Sequence, residues 1–294
     1  MAALGVDVGG TATKAVLLDD AGTALEVRSL PTPQPGGSVV GEVLDVVAGL
    51  ARELPAGRVG VAVPGIVDER RGVGVFSENL GWRDVPFAEL LAERLGRPVA
   101  FTHDVRAGAV AENRLGAGRG ARTMVFLPIG TGIASALVSD GRVHDADGYA
   151  GELGHVDVGH GEPCVCGRAG CLEAIASAAA IARRYTASTG REVHGAVDVA
   201  RRVEAGEPEA VAVWDEAVEA LAQALAWTAG VLAPEVVVVG GGLSGAQDLL
   251  LEPLAKSLSE RLTFQREPRL VPAALGGLAG CHGAALAGAS RAEP

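Results

Sequence analysis

The chain has 294 residues, more than one hydrophobic core usually serves, so two lobes are expected. Hydrophobic residues make up 48% of it, mostly alanine, valine and leucine broken by 42 glycines, and no apolar run is long enough to span a bilayer. The formal charge of −11 argues against a nucleic-acid surface, whose affinity depends on clustered basic residues.

Met1 leads directly into a strand-like segment, so neither a targeting peptide nor an N-terminal DNA-binding module is expected, and a cytoplasmic protein is. Leu4–Val8 and Lys14–Leu18 read as strands joined by Gly9-Gly10-Thr11-Ala12-Thr13, with Ala24–Ser29 as a possible third. A turn-rich connector from Pro31 to Gly37 precedes an amphipathic helix over Ser38–Glu53. Val59–Val63 is an apolar strand, Phe87–Leu95 a helix, Val99–Thr102 a strand and Asp104–Leu115 a helix. Such alternation indicates an α/β fold.

The second half opens with strand Thr123–Ile129, the turn Gly130-Thr131-Gly132 and strand Ala134–Val138. Gly10, Thr11, Leu17 and Asp20 recur as Gly130, Thr131, Leu137 and Asp140, all at one offset of 120, as two related lobes would show. Helices follow over Ser177–Ser188, Ala196–Ala205 and Pro208–Leu232. A buried strand, Glu235–Val239, then enters Gly240-Gly241-Gly242, and an apolar helix from Gly277 closes the chain.

Glycines after strands let backbone N–H groups approach phosphate oxygens, because no Cβ intervenes. Three such turns occur, at Gly9, Gly130 and Gly240, and Lys14, one of two lysines in the chain, adds charge to the first. No Gly-x4-Gly-Lys-Ser/Thr sequence is present, which excludes a P-loop enzyme. Gly240-x-Gly242-x-x-Gly245 matches the dinucleotide fingerprint, but too little chain follows to complete such a sheet.

His155, Cys164, Cys166 and Cys171 fall within seventeen positions, flanked by Glu152 and Glu173. One imidazole and three thiolates complete a tetrahedral zinc shell and leave no position open for catalysis. The other reading is a glycine-rich loop with free thiols, since Cys-x-Cys-x4-Cys is not a zinc-finger spacing. Cys281 reads as a small core residue. Asp104 ends a strand and begins a helix, so it is either a helix cap or a carboxylate at the sheet edge, where α/β proteins put ligands.

Taken together these motifs resemble the ROK family (repressors, open reading frames and kinases). The match runs in order through Asp7-Val-Gly-Gly-Thr11, Val63-Pro-Gly-Ile-Val-Asp68, Asn79-Leu-Gly-Trp82, His103-Asp104, Gly130-Thr-Gly132, Gly151-Glu-Leu-Gly-His155, the cysteine loop and Gly240-Gly-Gly242. The resemblance implies a two-lobed actin-like ATPase (ribonuclease H-like) fold with its active site in the interlobe cleft. Residues 1–115 would form the first lobe, joined by the helix of residues 277–294, and residues 116–276 the second.

It further implies an ATP-dependent hexose kinase acting on the 6-hydroxyl, with Asp104 as general base. Asn79, Glu152, His155 and Glu173 would bond the other sugar hydroxyls. His103 stands where asparagine is usual, and it too would face the sugar. Asp7 would partner hydrated magnesium. Gly9, Gly10, Thr11 and Lys14, with Gly130, Thr131 and Gly132, would hold the ATP phosphates, and Gly241 and Gly242 would lie near the adenosine. His155, Cys164, Cys166 and Cys171 would bind structural zinc. Glucose leads the substrate expectations, ahead of amino or N-acetyl hexoses, mannose and fructose. A non-catalytic sugar-binding regulator is the alternative of another class. Among similar proteins homodimers and homotetramers are usual, and neither nucleic acid nor membrane is an expected partner.

Overall fold

The computed structural model describes residues 2–34, 39–78 and 80–290. The chain divides into two compact units, the first made of Met1–Arg119, Gly141–Ala150 and Leu275–Pro294, the second of Gly120–Asp140 and Gly151–Ala274. The first unit thus takes back a short segment, Gly141–Ala150 with the two-residue strand β11 (Arg142–Val143), which the alternation of elements does not signal.

In the first unit β1 (Ala3–Val8), β2 (Ala12–Leu18), β3 (Ala24–Pro31), β4 (Arg58–Val63) and β8 (Ala100–His103) form a sheet in the order β3-β2-β1-β4-β8. β1, β4 and β8 are parallel, and β2 and β3 continue the sheet antiparallel. Period-two alternation along β1 puts Leu4, Val6 and Val8 in one buried cluster with Val43, Val47 and Leu50 of α1 (Val39–Glu53) and with Phe87, the first residue of α2 (Phe87–Leu95). Burying one such side chain contributes about 2 kcal/mol.

The opposite face of this sheet receives α9 (Ala279–Ser290), beside α3 (Asp104–Arg114). The approach is close: a Cβ added at Gly5 would overlap the Cys281 carbonyl oxygen, and one added at Gly60 would overlap that of Ala284. A helix of alanine and glycine can lie this near a sheet, which accounts for the small residues of the C-terminal segment. A second, antiparallel sheet of β5 (Ile66–Asp68), β6 (Val73–Ser77) and β7 (Trp82–Val85) is not evident from the sequence pattern, its strands being short.

Within the second unit the strands run β10-β9-β12-β13, with β9 (Thr123–Pro128), β12 (Val236–Gly240) and β13 (Arg269–Pro272) parallel and β10 (Ala136–Ser139) antiparallel to β9. Val125, Leu127, Val237 and Val239 pack with Tyr185 of α5 (Ala178–Thr189) and Trp214, Leu221 and Leu225 of α7 (Pro208–Leu232). α5 starts where Ser177 Oγ accepts the Ala180 N–H at 3.1 Å and stops at Gly190, whose φ is 69°. Two more helices, α6 (Ala196–Glu204) and α8 (Gln247–Arg261), complete the unit with the short α4 (Leu172–Ala176).

Each unit therefore begins with an antiparallel pair joined by a glycine turn, β1–β2 in one and β9–β10 in the other. After Gly240 comes a 3-10 turn, Gly242–Ala246, and then only β13, so the dinucleotide-binding sheet is absent from the described residues. No helix among the described residues is long and apolar enough to cross a membrane.

Candidate functional site

Asp7 sits near the carboxyl end of β1, in register with Lys14 on β2 and with Ala62 on β4, which is in turn level with Thr102 on β8. Asp7 and the His103-Asp104 pair therefore share the carboxyl edge of three parallel strands. Gly280 of α9 makes room for the Asp7 carboxylate, which a Cβ there would strike. Asp7 Oδ1 is buried with no hydrogen-bond partner among the described residues. Burial and the negative charge of Asp104 push the Asp7 carboxyl above the ordinary range, while Lys14 opposes them. Burial also raises Asp104, opposed by the Val105 N–H and by Arg106. Two buried carboxylates and an orphaned oxygen fit a site for a divalent cation with its water shell.

The Gly9-Gly10-Thr11 turn is closed by the Gly9 N–H donating to the Ala12 carbonyl at 3.1 Å. Residues beyond β3 brace it: Thr32 Oγ1 donates to the Gly9 carbonyl at 2.7 Å, and Gln34 Nε2 donates to that of Gly10 at 3.0 Å. Neither brace is legible in the sequence, because both lie more than twenty residues from the turn they hold. Lys14 Nζ donates to the Gly277 carbonyl at 3.1 Å, just before α9.

The Asp104 helix starts one residue earlier than a cap at Asp104 would require. His103 is the cap: its Nδ1 accepts the Arg106 N–H at 3.4 Å, and Asp104 is the first helical residue. Asp104 Oδ1 accepts the Val105 N–H at 2.7 Å and lies 3.2 Å from His103 Nε2. Glu69, a residue that no motif marks, locks this junction. Its Oε1 accepts from Thr102 Oγ1 (3.0 Å), the His103 N–H (3.1 Å) and Arg106 Nε (2.7 Å). Asn79 lies outside the described residues.

In the second unit the Gly130-Thr131-Gly132 turn links β9 to β10, with the Gly130 N–H donating to the Gly132 carbonyl at 3.0 Å. Gly240 pairs with Pro128 in the β12–β9 ladder, so the Gly240-Gly241-Gly242 turn leaves the same sheet edge one strand away. Gly241 has φ +80°, and a Cβ there would overlap the Ile129 carbonyl, so glycine is required on both grounds. Glu173 on α4 reaches the first of these turns, its Oε2 accepting the Ile133 N–H at 2.8 Å.

His155 ends a short 3-10 turn begun at Leu153, and Glu152 immediately precedes it. His155 Nδ1 lies 3.7 Å from Cys164 Sγ, Cys166 Sγ lies 3.6 Å from Cys171 Sγ, and the four ligand atoms all fall within 4.8 Å of one another. Zn–S bonds of about 2.3 Å arranged tetrahedrally require S–S edges of about 3.8 Å, so the cluster has the dimensions of a zinc shell. His160, which the sequence reading leaves as a packing residue, braces this loop. Its Nδ1 accepts the Glu162 N–H, and its Nε2 donates to the Cys171 carbonyl, both at 3.1 Å.

The ROK family model matches residues 3–289. The chain belongs to the ROK family. One ROK relative, a glucokinase of Halalkalibacterium halodurans, is 35% identical over 276 residues, which cover 85% of this chain and 83% of that protein. Among solved structures, the ROK hexokinase of Thermus thermophilus matches with a TM-score of 0.83 at 35% identity over 99% of both chains. A ROK glucokinase of Streptomyces griseus, in complex with glucose and AMPPNP, matches with a TM-score of 0.85 at 28% identity over 99% of this chain and 100% of that one. The fold of this ROK chain is that of the two-lobed actin-like ATPases.

Proposed function

We propose that this chain is an ATP-dependent hexose kinase that phosphorylates the 6-hydroxyl of glucose or a related hexose, with Asp104 as the general base. The observation that carries the reading is the Asp104 carboxylate, buried at the strand edge beside a glycine turn, a lysine and a second carboxylate. Its raised pKa suits a proton acceptor near neutral pH, better matched to the task than an ordinary aspartate.

The sugar O6 attacks the γ-phosphorus, the bond to the ADP oxygen breaks, and the hydroxyl proton passes to Asp104. The transferring phosphoryl is loosely bonded in such reactions, so the protein contributes mainly position and charge. Backbone N–H groups of Gly9, Gly10, Thr11, Gly130, Thr131 and Gly132 would face phosphate oxygens, with Lys14 adding positive charge. Asp7 would hold magnesium through its water shell. Magnesium supplies charge neutralisation at the phosphates when bound. Gly241 and Gly242 would leave room for the adenosine.

Asn79, Glu152, His155 and Glu173 would hydrogen-bond the remaining sugar hydroxyls. His155, Cys164, Cys166 and Cys171 would hold structural zinc. With Nδ1 of His155 facing the thiols, Nε2 is left for the sugar, and the metal fixes the tautomer and the direction of the ring. The same reading carries cytoplasmic residence, assembly as a homodimer or homotetramer, and partners limited to hexose and ATP.

The test is ADP release with ATP and magnesium against a panel of hexoses and amino hexoses, repeated with Asp104→Ala. Turnover on one sugar, lost in the variant while sugar binding persists, supports the kinase. Sugar binding without turnover on any of them would leave the non-catalytic regulator as the reading.

A further inference from the structure

The junction of β8 and α3 puts two ring nitrogens of one histidine to two different uses. Nδ1 of His103 faces a donor, the Arg106 N–H, so it must carry a lone pair. Burial, helped by the nearby Arg106 guanidinium, holds the His103 imidazole down to about 3, so the ring is neutral at physiological pH. A neutral ring with Nδ1 accepting has its one proton on Nε2, which stands 3.2 Å from Asp104 Oδ1. That oxygen also accepts the Val105 N–H at 2.7 Å. Both donors therefore converge on Oδ1.

We propose that His103 is a positioning residue for phosphoryl transfer: its Nε2–H pins Asp104 by Oδ1 so that Oδ2 is the oxygen presented to the attacking hydroxyl. The proposal rests on the reading of Asp104 as the base. It gives His103 a different duty from contact with the sugar, because a ring with both nitrogens engaged has no donor left for a hydroxyl. Selectivity among hexoses then depends on residues other than His103. The Glu69 carboxylate, which accepts the His103 N–H and the Arg106 Nε–H, keeps the backbone of the pair in register.

Two amide substitutions separate the two nitrogens. His103→Asn places its amide oxygen near the position of Nδ1 and can cap α3, but it has nothing at the position of Nε2. His103→Gln places its amide nitrogen near Nε2 and can donate to Asp104, at the expense of the cap. The measurements are kcat and hexose KM for each, thermal unfolding of each, and Asp104→Ala as a control. His103→Asn should lower kcat roughly tenfold, as expected for a hydrogen bond to a charged group, with hexose KM changed less than about twofold and Tm near wild type. His103→Gln should keep kcat nearer wild type with a lower Tm.

Wild-type kcat in His103→Asn overturns the proposal, and so does a change confined to the KM of particular hexoses. A fall in kcat shared by both variants and tracking a shared fall in Tm marks a purely structural cap and overturns it as well. If Asp104→Ala itself retains turnover, the base reading has failed. If Asp104→Ala is dead and His103→Asn is normal, only the positioning role has.

Discussion

Glu173 Oε2 accepts the Ile133 N–H at 2.8 Å, tying the helix that follows the cysteine loop to the glycine turn between β9 and β10. A second bond reinforces the link, the Ala178 N–H donating to the Gly130 carbonyl at 2.9 Å. The turn proposed to hold phosphate is thus held in place by a carboxylate proposed to read the sugar. Glu173→Ala should weaken AMPPNP binding in the absence of any sugar, by roughly tenfold for loss of one charge-assisted hydrogen bond. Glu173→Gln, which keeps an acceptor oxygen, should bind the nucleotide more nearly as wild type does and lose hexose affinity. Calorimetric titration with AMPPNP alone decides this: an unchanged Kd in Glu173→Ala would show that the bond does not matter to the turn.

The metal shell leads to a second prediction, because Cys171 is both a ligand candidate and the residue that precedes α4. Burial and the neighbouring thiols push the Cys171 thiol up to about 12, so binding zinc must displace protons and is favoured as pH rises. Protein purified without added metal should contain about one zinc per chain, by the count of ligands in a closed tetrahedral site. Cys166→Ser should lower both metal content and hexose affinity, since zinc would set the direction of the His155 ring. Full hexose affinity after complete removal of the metal by a chelator would reject the positioning role while leaving the kinase reading intact.

Asp7 and Asp104 carry a stability cost whose sign follows from linkage. Both carboxyls are held above the ordinary aspartate range, chiefly by burial, so the folded chain retains protons that the unfolded chain has released. Stability then falls as pH rises from the unfolded value of about 4 through the folded ones. In magnesium-free protein at pH 8, Asp7→Asn should raise Tm by roughly 3 °C or more while abolishing turnover. The gain should vanish below about pH 4, where the wild-type carboxyls are protonated in both states. An equal gain at both pH values would point to packing instead of titration. The rate should show the matching trend, with the acid limb of kcat displaced above the ordinary carboxylate range.

How much of this was legible in the sequence depended on whether a signal was local. The zinc cluster was legible because its four ligands lie within one loop, and the glycine turns because each follows an apolar strand. Asp104 was legible as a strand-end carboxylate, but its cap role passed to His103, since only the backbone angles decide which residue of such a pair is the first in the helix. Glu69, Thr32, Gln34 and His160 were not legible as functional supports. Each acts on a partner brought near by the fold, with Glu69 joined to Arg106 across 37 positions and Thr32 to Gly9 across 23. The three-stranded sheet of β5, β6 and β7 escaped notice because strands of three to five residues give too few alternations to count.

Small residues make the last prediction, on the face where α9 meets β1 and β4. Gly60 lies in the middle of a parallel strand, and a Cβ there would overlap the Ala284 carbonyl, a backbone atom that no rotamer change can move aside. Gly60→Ala should therefore force α9 off the sheet and cost about 3 kcal/mol, at the upper end of overpacking penalties. Gly49, inside α1, has nothing within 4 Å of an added Cβ, so Gly49→Ala should stabilise by about 0.5–1 kcal/mol through reduced unfolded-state entropy and better helix propensity. Opposite signs for one substitution type at two buried-helix contacts are the expectation, read by urea unfolding with both variants at one pH. Because α9 also supplies Gly280 beside Asp7 and follows the Gly277 carbonyl that Lys14 binds, Gly60→Ala should lose turnover beyond its loss of stability. Gly49→Ala should keep kcat. If Gly60→Ala unfolds at the wild-type urea midpoint, the close seat of α9 on the sheet is not what positions Asp7.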